Sequence, residues 1–239
     1  MAYAASVVCF AGFDGCGNRF AGTNCGRRYS VGQENQSDTD DNAMTVPRLF
    51  IVHGFMAAPE HHWFPWLQQV AEQAGVVTEA PQLPESHSPQ LSHWLESLES
   101  VVGEPDENTW LVGHSLGCIT LLNYLNQRYP QAVTGGMILV SGFSEAVPGL
   151  EMLADFVRQP VDNHRIISNV RQRAVIASLN DTIVPAAFSL RLSQQLAAPF
   201  YGIPDSGHFL GREGVTELPL VASLLQQFWS QSAAGHIPA

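Results

Sequence analysis

Trp110-Leu111-Val112-Gly113-His114-Ser115-Leu116-Gly117-Cys118 is the stretch that decides the fold. Three apolar residues read as the end of a buried strand, and Leu116 opens a helical run that extends to Tyr129. Between them stands G-x-S-x-G, so the segment has the strand–turn–helix context of a nucleophile elbow. The glycines have a steric reason. In so sharp a turn, a side chain at Gly113 or Gly117 would meet the neighbouring strand or helix. The turn lifts the Ser115 oxygen clear of the backbone. The N–H of Leu116 stands at a helix N-terminus, where negative charge is favoured. A plain strand-to-helix turn with Ser115 as N-cap reads the same string; the rest of the chain decides between them.

Strand and helix patterns alternate on either side. Leu49–Val52 is a β-run ending in His53-Gly54, and His61–Ala74 reads as a helix. An extended stretch covers Val76–Ala80. Ser92–Val102 reads as a helix with Trp94, Leu95 and Leu98 on one face. Met137–Val140 and Ala174–Ala177 are apolar strands, Phe188–Leu196 a helix, Phe200–Ile203 a last strand and Leu218–Trp229 a last helix. Apolar runs without polar alternation fit strands buried on both faces. Six such strands alternating with helices predict a parallel sheet covered on both sides.

Residues 143–173 interrupt the rhythm and predict a small cap insertion, with short helices over Leu150–Val157 and Asn163–Val170. Its apolar positions Leu150, Leu153, Phe156 and Val157 share one helical face. That face is expected to turn inward and roof a compact acyl pocket beside Phe55. Residues 1–43, with a Gly-rich stretch and the acidic run Asp38–Asp41, show no sustained period and predict a disordered N-terminal extension. The domain is expected over residues 44–239. The opening segment lacks a basic start and a small-x-small cleavage site, which argues against a signal peptide.

Two further residues complete the chemistry. Asp181 follows the strand Ala174–Ala177 and His208 follows the strand Phe200–Ile203, both at carboxyl ends, where open α/β sheets bind ligands. An Asx-turn is the plain structural role for Asp181. The order Ser115, Asp181, His208 is the triad order of α/β-hydrolases. His208 would take the serine proton and Asp181 would orient the imidazole. The oxyanion needs two donors: the Leu116 N–H is one, and the Phe55 N–H, brought close by Gly54, is the other. His53 precedes that loop and is expected to orient it; His114 is expected to pack beneath the elbow. Cys118, Trp63, Trp66 and Trp94 read as core.

The chain also resembles the small serine hydrolases of the RBBP9/YdeN type, on the bacterial YdeN side. The resemblance rests on Ile51-Val52-His53-Gly54-Phe55, His62-Trp63-Phe64-Pro65-Trp66-Leu67, Leu111–Cys118, Gly136–Phe143, Ala174–Ser178 and Gly207-His208-Phe209-Leu210. It runs from about Pro47 to Trp229. It implies an α/β-hydrolase fold, with a mostly parallel six-stranded sheet, helices on both faces and a small cap, and it implies the triad Ser115–Asp181–His208. Residues 1–43 match nothing in the family. The L-x-C-x-E motif of the animal member is absent, since Leu116–Thr120 ends in Thr.

Composition narrows what remains. The 239 residues suffice for one domain with a full core. All 11 basic residues are Arg against 22 acids, giving a net charge of −11. No nucleic acid and no anionic membrane surface is expected as a partner. The absence of Lys excludes Schiff-base and Walker chemistry. The four cysteines lack disulfide or zinc spacing, no His and carboxylate cluster predicts a metal, and a cytoplasmic setting is expected. No cofactor is called for. The expectation is a carboxylesterase-like serine hydrolase acting on a small-molecule acyl substrate through an acyl-serine intermediate. An acyltransferase or thioesterase with the same triad, or a non-catalytic binding protein on this fold, are the alternatives; protein partners are not indicated.

Overall fold

The computed structural model describes residues 46–234. The expected extension 1–43 and the domain boundary at Met44 lie outside them. Six strands form one sheet: β1 (Arg48–Val52), β2 (Val77–Glu79), β3 (Thr109–His114), β4 (Thr134–Val140), β5 (Val170–Ser178) and β6 (Phe200–Ile203). Their order is β2-β1-β3-β4-β5-β6, and every pair is parallel. The helices are α1 (Phe64–Gln73), α2 (Leu91–Val102), α3 (Leu116–Gln127), α4 (Ala154–Val157), α5 (Asn163–Asn169), α6 (Ala186–Gln195) and α7 (Pro219–Ala234). The chain is therefore the α/β-hydrolase sheet that its sequence predicts.

Strand residues alternate between two cores, as the pleat requires. Leu49, Ile51, Trp110, Val112, Ile138, Val140 and Ile176 face α1 and α7. Phe50, Val52, Leu111, Met137, Leu139 and Val175 face α2, α3 and α6. Both faces of β3 and β4 are buried, so their apolar runs carry no polar alternation.

Several boundaries differ from the sequence reading, and three of them have a visible reason. The first helix begins at Phe64 rather than His61, because His62 adopts φ 59° and Pro65 sits in the first turn. β4 begins at Thr134 rather than Met137, since Gly135 and Gly136 are strand residues. A Cβ at Gly136 would stand 2.6 Å from the Trp110 ring, so the pair makes room for that indole. β5 begins at Val170, so residues 170–173, expected in the insertion, belong to the sheet.

Within the insertion, Leu153 and Phe156 turn inward, onto α2 and α3. The Phe156 ring meets Trp94 edge-on at 5.4 Å, and its carbonyl accepts a 2.8 Å hydrogen bond from Asn123 Nδ2. Asn123 lies about 12 Å along α3 from the elbow at ~1.5 Å per residue. A cavity of about 330 Å³ lies within the insertion, lined by Phe143, Val147, Leu150, Leu153 and Val157 among others; Ser115 is not part of its wall.

Candidate active site

β3 delivers Ser115 at its carboxyl end, and the residue adopts φ 55°, ψ −119°. Such a backbone is costly for a non-glycine residue, and it persists because the surroundings hold it. The Ser115 N–H donates to Val140 O at 2.8 Å. A Cβ at Gly113 would lie 2.9 Å from the backbone of Cys118, and one at Gly117 would lie 2.2 Å from Val52 O. Helix α3 can pack this closely on β3 and on β1 only with glycine at both positions.

Asp181 sits in the turn after β5 and His208 in the turn after β6. His208 Nδ1 and Asp181 Oδ2 are 2.7 Å apart, with both side chains almost wholly buried. The carboxylate accepts every bond within reach: Asp181 Oδ1 from the N–H groups of Ile183 and Val184, each 2.9 Å, and Oδ2 from Ser141 Oγ at 2.8 Å. With Nδ1 committed to Asp181, Nε2 is the His208 nitrogen left for a serine hydroxyl. His114 ties this turn to the elbow: its Nε2–H donates to His208 O at 2.9 Å, and its ring lies 5.0 Å from the His208 ring. Ser115, Asp181 and His208 thus gather on one sheet edge, although no hydrogen bond closes between Ser115 Oγ and His208 Nε2 here. Such contacts often tighten only once substrate is bound.

The loop after β1 lies against the serine. A Cβ at Gly54 would come within 2.9 Å of Ser115 Cβ and 3.4 Å of Leu116 N. His53 fixes this loop. Its Nε2 accepts the Leu83 N–H at 3.0 Å, which leaves the proton on Nδ1 to donate to Gly54 O at 2.9 Å. Anchoring that carbonyl orients the Gly54–Phe55 peptide, whose N–H points the opposite way. Leu116, the first residue of α3, has no intrahelical acceptor for its N–H. Burial lowers the His53 pKa and lowers that of His114 well below the ordinary value. Burial likewise raises the Cys118 thiol pKa, so the cysteine three residues past Ser115 is a packed thiol.

Two functional-looking contacts escaped the sequence reading. Glu213 Oε2 accepts the N–H groups of His208 (2.7 Å) and Leu210 (3.1 Å), and so holds the histidine turn from behind. Ser141 reaches Asp181 from the end of β4. A polar residue closing a fully apolar strand beside the elbow was the available signal for Ser141; Glu213 had none beyond its nearness to His208. Among the described residues, no group of His, Cys, Asp and Glu could hold a metal, and no helix is long and apolar enough to cross a membrane.

A parallel α/β sheet with serine, acid and histidine gathered at its carboxyl edge defines the α/β-hydrolase class. Residues 49–227 match the family model described as serine hydrolase. The hydrolase YdeN of Bacillus subtilis (strain 168) is 41% identical over 184 residues, covering 77% of this chain and 97% of that protein. The crystal structure of that ydeN gene product superposes with a TM-score of 0.75, covering 77% of this chain and all of the other. The rat serine hydrolase RBBP9 is 27% identical over 167 residues, 69% of this chain and 87% of its own. Est1E from Butyrivibrio proteoclasticus shares the fold at 17% identity, with a TM-score of 0.62 over 81% of this chain and 90% of that one. The chain belongs to the serine hydrolase family, in its RBBP9/YdeN branch.

Proposed function

We propose that this serine hydrolase cleaves a carboxylic ester or related small acyl substrate through an acyl-Ser115 intermediate. The observation that carries the reading is the buried 2.7 Å His208–Asp181 pair beside a serine with φ 55°. His208 Nε2 accepts the Ser115 hydroxyl proton as Oγ attacks the acyl carbon. The N–H groups of Leu116 and Phe55 receive the oxyanion. Collapse expels the alkoxide, which leaves as the alcohol with the proton from His208. Water then attacks the acyl-enzyme, giving its proton to His208, and the acid and free Ser115 are released. Asp181 keeps the imidazole in the productive tautomer throughout. The cytoplasm is the setting we assign, consistent with a buried, reduced Cys118.

Labelling with a fluorophosphonate, followed by mapping of the labelled peptide, tests the reading. The label is expected on Ser115. Ser115→Ala abolishes labelling and p-nitrophenyl ester turnover with the fold intact, and Asp181→Asn lowers kcat by about 10³–10⁴. Wild-type turnover by Ser115→Ala would refute the mechanism. Added alcohol diverting the acyl group from water would assign acyl transfer instead of hydrolysis.

A further inference from the structure

The turn that ends β4 lies between the strand carrying the nucleophile and the strand carrying the acid, and it touches both. Val140 O accepts the Ser115 N–H at 2.8 Å. The next residue, Ser141, is fully buried, and its Oγ donates to Asp181 Oδ2 at 2.8 Å. That is the same oxygen that faces His208 Nδ1. Ser141 adopts φ 49°, and its N–H is fixed by Ile176 O at 2.9 Å, so the hydroxyl is aimed by a backbone that costs energy to hold. Asp181 does not need this bond to be satisfied as a turn residue, since Oδ1 alone accepts the Ile183 and Val184 N–H groups.

We propose that Ser141 is a positioning residue of the active site, whose hydroxyl shares Asp181 Oδ2 with His208 and thereby sets the pH range over which His208 serves as the base. The inference rests on the triad reading above. A hydroxyl donating to Oδ2 withdraws negative charge from the oxygen that stabilises imidazolium. Removing it leaves more charge facing His208, favours the protonated ring, and moves the acid limb of the pH–rate profile to higher pH. The other titratable or charged groups around the pair are few. His114 packs against His208 from β3, His62 approaches from the loop before α1, and Arg212 and Glu213 come from the turn after His208. None of them contacts Asp181 Oδ2, so Ser141 and His208 hold that oxygen between them.

The test is the rate of Ser115 phosphonylation by a fluorophosphonate across pH 5–9, alongside p-nitrophenyl acetate turnover, for the intact chain and for Ser141→Ala and Ser141→Gly. Both variants lose the hydroxyl, but they differ in backbone cost. Glycine accepts a positive φ freely and alanine only at a cost, so S141G is expected to melt above S141A. The acid limb of both is expected to move up by about 0.5–1 pH unit, with plateau rates down by about two- to fivefold and KM unchanged. A common pH shift despite different melting temperatures is a result that a merely structural serine would not give. An unmoved acid limb in either folded variant overturns the proposal, as does a rate loss that follows melting temperature alone. A wild-type chain that fails to label at Ser115 would instead overturn the triad reading, so the two failures are separable.

Discussion

A methyl group at Gly117 would enter a space bounded by backbone on every side, 2.2 Å from Val52 O and 2.7 Å from His53 O. No side chain there can swing away, so Gly117→Ala must push α3 off β1. It is expected to leave little folded protein, or to cost upwards of about 3 kcal/mol in denaturant unfolding. His53 is a different case, because its bonds aim a peptide rather than fill space. His53→Ala frees Gly54 O and is expected to lower kcat by about 10–100-fold with KM little changed, since the Phe55 N–H, as the proposed oxyanion donor, would be needed most when the oxyanion forms. A rise in KM with kcat unchanged would show that His53 serves binding instead. These residues were legible in the sequence because their reasons are local: the glycines flank one turn, and His53 adjoins the loop it holds. Ser141 was not, because its partner stands 40 positions away and only the sheet order brings them together.

At the scale of elements, the apolar strands and the helix after each were readable because burial on both faces suppresses polar alternation. The misplacements arose where one side chain overrules local preference. Gly135 and Gly136 carry no apolar side chain and so fall outside the strand read from Met137, until the Trp110 ring against them is known. The helix over His61–Ala74 loses its first turn to the left-handed His62. The insertion was legible as an interruption with an inward apolar face but not in what that face packs on, since an apolar face says only that it is covered, not by what. Phe156 closes against Trp94 and Asn123, so α4 is part of the packed layer rather than a hinged flap. Phe156→Ala is accordingly expected to cost about 3–5 kcal/mol of stability. The intact enzyme should show no jump in rate when a p-nitrophenyl ester passes its solubility limit. A fully stable Phe156→Ala protein, or activation by emulsified substrate, would mean that α4 moves.

For the whole molecule, acid is the revealing perturbation, because two effects of opposite sign compete. Lowering the pH relieves the repulsion implied by a net charge of −11, which favours the compact state. Three histidines act the other way. His62 Nδ1 accepts the Gly211 N–H at 3.0 Å, His53 Nε2 accepts the Leu83 N–H, and His114 Nδ1 is buried with no hydrogen-bond partner. Protonating any of them breaks an accepted bond or buries a charge. Their pKa values are lowered, that of His62 from 6.5 to about 4, chiefly by burial. In that window the unfolded chain binds more protons than the folded one, so stability falls as pH drops from 6.5 towards 4. Carboxylates remain largely ionised down to about pH 5, so the histidine effect wins in the upper part of the window. His62 is partly exposed, and solvent screening reduces its share at pH 5 to roughly 1 kcal/mol, or about 2–4 °C in Tm, with His53 and His114 adding to it. His62→Asn isolates the effect. Asparagine tolerates the left-handed backbone, its Oδ1 can still accept the Gly211 N–H, and it does not titrate. Thermal melts at pH 7.5 should show the variant within about 2 °C of the intact chain, and melts at pH 5 should show it more stable than the intact chain. An equal fall in Tm for both between those two pH values would mean that His62 does not sense acid and that the other titrating groups carry the response.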